Sequence, residues 1–180
     1  TRMAKNKLHF NSIVSAVRNG FTMYDTAEVY SNGESEKIIG DMIKYYKGKV
    51  EIEPGTKKNI QISTKFMAMP FMKKGTLTKS VNNSLKRLGI DYIDIFWLHI
   101  PRYYKQCLKE VIPLLREGKI RNVGFSNFKF SQLKEATKIL ESEGFKVAGV
   151  QNHFSLLFRD SIDKGILDWC KEKDIPFFGY

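Results

Sequence analysis

Polar and aromatic groups able to move a proton or grip a carbonyl oxygen stand where short apolar runs of this chain end. Asp25 closes "FTMYD", and Tyr30 follows on what must be a loop. Lys65 comes at the end of "ISTK", and His99 closes "FWLH". Ser126 and Asn127 follow "VGF", Gln151 and Asn152 follow "AGV", and Tyr180 follows "FFG". Turn chemistry alone supplies Gly, Pro, Ser and Asp at such places rather than Lys and His. A phenol, an ammonium, a carboxylate and an imidazole on one rim suit proton donation to an oxygen that is becoming an alkoxide. Tyrosine ordinarily titrates near pH 10, and bringing it to about 7 takes roughly 4 kcal/mol. An ammonium about 4 Å away supplies on the order of 4 kcal/mol at an effective dielectric near 20. A carboxylate beside the lysine would keep it charged and oriented, with a slight weakening of its field on the phenol. The imidazole would orient the carbonyl oxygen. No side chain can supply a hydride, so carbonyl reduction by this set requires a nicotinamide cofactor. Ser126, Asn127 and Gln151 have the groups to hold its carboxamide, and Tyr180 has a face to stack on its ring.

The elements that must deliver these groups are legible as apolar runs alternating with amphipathic stretches. Strands are expected at Phe21–Asp25, Ile60–Lys65, Tyr92–His99, Ile120–Gly124, Val147–Gln151 and Pro176–Tyr180, with starts about 30 residues apart, the size of a βαβ unit. Leu77, Val81, Leu85 and Leu88 mark one helix face, closed by Gly89. Leu108, Ile112 and Leu115 mark a second helix before Gly118, with Pro113 expected to kink it. Leu133, Ile139 and Leu140 mark a third before Gly144, with Ser131 expected as its N-cap. A first helix is expected over Asn11 to Arg18. Strict alternation implies a parallel sheet, in an open doubly wound form or a (β/α)-barrel. Both carry their sites at the carboxyl ends of the strands. The absence of G-x-G-x-x-G after the first run weighs against the open sheet.

Composition bounds the rest. The chain has 180 residues, 42% hydrophobic and 27% charged, enough for one domain over residues 1–180 with a buried core. No apolar run is long enough for a membrane span. Cys107 and Cys170 lack zinc-type spacing and read as reduced thiols of a cytoplasmic protein. A net charge of +11 would suit an anionic partner. The lysines are instead spread along expected helices, and no basic stripe interleaved with aromatics points to nucleic acid. Neither a metal-ligand cluster nor an oligomeric state is evident.

At these residues the chain resembles the aldo-keto reductase family. "DTAEVYSNGESE" is similar to that family's D-T-A-x-x-Y-x-x-G-x-S-E signature, and "GIDYIDIFWLHIP" to its segment ending in the active-site histidine. "LLREGKIRNVGFSNF" resembles its G-K-x-R-x-x-G-x-S-N-F segment. "VQNHFSLLFRD" resembles a stretch of the branch that includes potassium-channel β-subunits and many microbial reductases. The resemblance implies a (β/α)8 barrel, incomplete here at about six strand–helix units, that binds NADPH, less often NADH. It implies Tyr30 as general acid, Lys65 and Asp25 as the pair lowering its pKa, and His99 as the group orienting a small carbonyl substrate. Ser126, Asn127 and Gln151 match residues holding the carboxamide, and Tyr180 the stacking aromatic. The family carries a further strand before the first helix and two further units after the last strand here, so a chain truncated at both ends is expected. Such a sheet would expose two edges and apolar faces. A relative that binds nucleotide or a protein partner without turnover is the alternative. Trp97 shares parity with His99 and is expected to fill the interior, His153 to be structural or on the surface, and the Met-rich loop after Lys65 to line a pocket or pack on its own barrel.

Overall fold

The computed structural model describes residues 2–46, 49–53 and 56–180. Six parallel strands form a curled half-barrel in the order β1 (Met23–Asp25), β4 (Gln61–Phe66), β5 (Ile93–Leu98), β6 (Ile120–Ser126), β7 (Val147–Asn152) and β8 (Phe177–Gly179). After β4 each crossover carries helix: α3 (Thr76–Leu88), α4 (Tyr104–Arg116), α5 (Phe130–Ser142), and the pair α6 (Asp160–Asp163) and α7 (Ile166–Glu172). Ahead of β4 come α1 (Arg2–Arg18), a 3-10 turn at Tyr30–Gly33, α2 (Glu34–Tyr45) and an antiparallel hairpin of β2 (Lys49–Glu53) with β3 (Thr56–Asn59).

Central strands are covered on both faces, which is why they read as continuous apolar runs. Phe96, Leu98, Val123, Phe125 and Val150 join Leu77, Val81, Leu108, Val111, Leu133 and Leu140 in one core between sheet and helices. A smaller cluster, with Val17, Ile39, Met42 and Leu88, seats α1 and α2 beside Ile60 and Ile62. Gly89 ends α3 in the left-handed region, its amide donating to the Leu85 carbonyl at 2.8 Å, as the periodicity indicated. Trp97 is fully buried and paired in register with Gly124. Any β-carbon at Gly124 would lie 2.3 Å from the indole, so glycine there makes room for the ring.

Several expectations are corrected. Helix α1 begins at Arg2, well before Asn11. Ser131 lies inside the first turn of α5; the cap position is Lys129, whose amide donates to Gln132 Oε1 at 3.0 Å. Pro113 falls in the last turn of α4, which runs on to Arg116. The β2–β3 hairpin was not anticipated, and its central Pro54 and Gly55 lie outside the described residues. Among the described residues no helix is long and apolar enough to cross a membrane. Cys107 and Cys170 are buried free thiols.

Candidate active site

The carboxyl ends of the strands meet around Asp25. Parallel pairing of β1 with β4 sets Asp25 opposite Ser63, and β4 then delivers Lys65 one pleat further along the same face. Lys65 is buried with 2% of its side chain exposed, and its ammonium donates to Asp25 Oδ2 at 2.5 Å and to the Thr26 carbonyl at 2.8 Å. Ser63 Oγ donates to the other carboxylate oxygen of Asp25. From the far side of the cup, Gln151 Nε2 donates to Asp25 Oδ2 at 3.1 Å. One carboxylate thus ties together β1, β4 and β7.

Tyr30 opens the 3-10 turn, its amide donating to the Ala27 carbonyl at 3.0 Å. The ring lies 5.1 Å from Lys65 Nζ and 6.1 Å from the His99 ring, edge to face. His99 follows β5, positioned by its amide donating to the Phe66 carbonyl at 2.9 Å. Asn127 takes a left-handed conformation with φ of 63°, and its Nδ2 donates to the His99 carbonyl at 3.0 Å and to Ser126 Oγ at 3.2 Å. Asparagine tolerates that backbone better than most residues. Tyr180 donates its hydroxyl to Asn127 Oδ1, and its ring stacks on His153. Ser126 and Gln151 are joined only by a 3.4 Å contact. All eight residues singled out from the sequence therefore belong to one connected rim.

The electrostatics depart from the expectation for Tyr30. Its pKa is raised above the ordinary value of 10, by burial first and then by the Asp25 carboxylate. The hydrogen bonds of the ammonium go to Asp25 and Thr26, and Asp25 offsets its field on the phenol. Burial of the phenol, not anticipated from the sequence, is the larger cause, and the carboxylate adds to it. Burial also pulls Lys65 below its ordinary value, with Asp25 resisting. His99 is held below 6.5, chiefly by burial and next by the Lys65 ammonium. Its imidazole is thus neutral at pH 7. His99 Nδ1 is buried without a partner among the described residues. A bare acceptor is less costly to leave unmatched than an N–H, which places the proton on Nε2. The rim therefore combines a protonated phenol with a neutral imidazole donor, a pair able to bind one carbonyl oxygen and protonate it.

Residues not singled out from the sequence support this arrangement: Ser63, and Thr26, whose hydroxyl pairs with Ser35 at 2.8 Å. Ser63 was detectable, since it shares strand parity with Lys65. Asn152, noted only as a neighbour of Gln151, accepts the Asn127 amide at 2.8 Å. His153 is exposed and sandwiched between Phe158, at 3.9 Å, and Tyr180, at 5.6 Å. The Met-rich loop lines a groove of about 260 Å³ with Met67, Met69, Met72, Glu28 and Lys79 beside α3. A larger groove of about 650 Å³, with Ile62, Leu88 and Tyr92, lies at the opposite, amino end of the strands and plays no part in the rim. No cluster of potential metal ligands occurs among the described residues.

A sequence model of the Aldo/keto reductase family matches residues 4–180. The chain is 30% identical over 176 residues to the chloroplastic pyridoxal reductase of Arabidopsis thaliana, covering 92% of this chain and 47% of that protein. It is 28% identical over 178 residues to aldo-keto reductase YhdN of Bacillus subtilis, covering 97% and 51%. A crystal structure of an aldo-keto reductase from Klebsiella pneumoniae in complex with NADPH superposes with a TM-score of 0.77 at 27% identity, covering 98% of this chain and 58% of that one. The chain spans about half the length of the curated relatives it matches.

Proposed function

The chain belongs to the aldo/keto reductase family, and from that premise we propose that it carries the proton-transfer half of a reductase acting on an aldehyde or ketone. Tyr30 gives its proton to the substrate oxygen, and His99 Nε2 orients that oxygen by hydrogen bonding. Lys65 and Asp25 hold the floor of the site in one geometry. The observation that carries this reading is the convergence of Tyr30, Lys65 and His99 within ring-contact distances of 5.1 and 6.1 Å on an Asp25 anchor.

The donor set fits a nicotinamide dinucleotide. The long Ser126–Gln151 contact leaves a hydroxyl and an amide ready to exchange partners with a carboxamide. Tyr180, 58% exposed and backed by His153, has ring surface to offer. Such a cofactor supplies the hydride equivalent when bound; NADPH is the natural choice, since the Klebsiella pneumoniae neighbour was crystallised with it. NADH stands as the alternative.

The test is NADPH consumption by the purified protein with an aromatic aldehyde such as nitrobenzaldehyde. Turnover is expected, with its loss in Tyr30→Phe. Undiminished turnover in that variant removes Tyr30 as the acid. Tight NADPH binding without consumption of any carbonyl would favour a nucleotide-binding relative with no catalytic step.

A further inference from the structure

The signature segment contains a fully buried carboxylate that the rim does not use. Glu36, near the start of α2, has no exposed surface, yet it is ionisable and sits among strands and helices. Its two carboxylate oxygens are separately engaged. Oε1 accepts from Thr64 Oγ1 at 2.7 Å, on β4 immediately before Lys65. Oε2 accepts from Arg87 Nε at 2.5 Å, near the end of α3. Arg87 Nη2 donates further to Ser84 Oγ at 3.1 Å.

Arg87 also reaches the Tyr30 turn. A β-carbon on Gly33 would stand 2.8 Å from Arg87 Cδ, so the turn rests directly on the arginine stem. Between Tyr30 and Gly33 the backbone holds Ser31 and Asn32 in the left-handed region, at φ of 49° and 55°. Such a conformation persists only when its surroundings over-determine it. On the other side of Tyr30, Glu28 accepts a hydrogen bond from Ser80, also of α3. The segment bearing the phenol is therefore pinned to α3 at both flanks.

We propose that the Arg87–Glu36 pair is a positioning device that sets Tyr30 relative to Lys65, with Thr64 as its link to the lysine strand. A buried ion pair is poor evidence for stability, because apolar residues of equal volume often serve as well. What an apolar pair lacks is direction. One carboxylate here takes a bond from the strand carrying the ammonium and another from the helix that seats the phenol, fixing the two against each other. Neither residue touches a reacting atom, and the inference rests on the carbonyl-reduction reading above.

The experiment uses Arg87→Lys and Thr64→Val in the purified protein, with Glu36→Gln and Glu36→Ala as a conservative and a disruptive pair. Arg87→Lys keeps the charge and the stem through Cδ, and loses the Nε bond and the guanidinium plane beside Gly33. A fall in kcat of about tenfold or more is expected, since small misplacements of reacting groups carry costs of that order. Affinity for NADPH, read by quenching of tryptophan fluorescence, should stay within about twofold, the split expected of an interaction that matters at the transition state. Thr64→Val should fall in the same direction by less, and Glu36→Gln should retain more activity than Glu36→Ala. Amide exchange should rise locally over residues 26–36 in Arg87→Lys while β6 stays protected; this readout needs no turnover. An inactive parent protein with that local rise would sink the reductase reading and leave the positioning role standing. Unchanged exchange and kcat in Arg87→Lys and Thr64→Val would overturn the positioning role. So would a loss confined to thermal stability with kcat of the folded protein intact. If Arg87→Lys does not fold, Thr64→Val decides alone.

Discussion

Replacing Gly124 with alanine tests how the interior of the sheet supports the rim. The new methyl would meet Trp97 Cζ3 at 2.3 Å and Cε3 at 2.5 Å, with the Gly149 carbonyl at 3.0 Å behind it. Ordinary carbon contacts begin near 3.4 Å, so the indole must retreat by about 1 Å. Retreat is obstructed, because Trp97 has no exposed surface and Phe178 stands against it at 5.3 Å between centroids. Overpacking of this kind costs about 1–3 kcal/mol. At about 2–4 °C per kcal/mol for a domain of this size, Tm should drop by roughly 2–12 °C. Trp97 lies two residues before His99 on the same side of β5, so a shifted indole also tilts the imidazole, and a displacement near 1 Å can cost up to about a hundredfold in kcat. Thermal unfolding and steady-state turnover of Gly124→Ala, Trp97→Phe and the double variant form a cycle. Phenylalanine lacks the atoms the methyl would strike, so the double variant should be more stable than the sum of the two singles. A Gly124→Ala protein with parental Tm and kcat, or strict additivity in the cycle, would refute the packing argument.

Other outcomes follow from the same structure. Because burial and Asp25 hold the Tyr30 phenol above 10, reductive kcat should stay level between about pH 7 and 9 with respect to this group; a decline centred near pH 7 would restore an acidified phenol. His99 protonates in the unfolded chain near 6.5 and in the folded one only at lower pH, so the unfolded state binds more protons in that window. Stability should therefore fall on acidification below 6.5, and His99→Gln should flatten that slope in melts recorded from pH 7.5 to 5. Glu110 accepts from the Gly75 and Thr78 amides, at 2.9 and 3.0 Å, and so caps the start of α3. Glu110→Ala should cost about 1–3 kcal/mol in denaturant unfolding. Burial pushes the Cys107 thiol up to about 12 and Cys170 to about 11, so the native protein should react with a disulfide reagent far more slowly than the urea-unfolded chain.

The order of the strands and their polar ends could be read from the chain for a physical reason. Strands covered on both faces leave uninterrupted apolar runs, and the change to polar residues at their carboxyl ends marks the rim. Lys65, His99, Ser126 and Gln151 were legible on that account. The β2–β3 hairpin was missed although Val50 and Ile52 alternate with charges before Pro54-Gly55, a pattern that signals a turn. The early turns of α1, "RMAKNKLHF", lack an apolar stripe and gave no periodic signal. The direction of the Tyr30 shift is set first by how far the ring is buried and next by the approach of Asp25, which follow from the folded rim and not from spacing along the chain. Glu36 was legible as a motif letter, but its partner Arg87 lies in another helix, fifty-one residues on.

The bond from Gln151 to Asp25 spans 126 residues of sequence, the longest reach among the side-chain hydrogen bonds described. Closing a contact so distant in sequence carries a larger loop-entropy cost than pairing neighbouring strands. A growing polypeptide thus acquires its phenol, ammonium and imidazole well before the amide that completes the ring of restraints around the carboxylate. Alignment around the Asp25 carboxylate is in this sense a property of the assembled sheet, and its parts taken singly hold the ingredients without it.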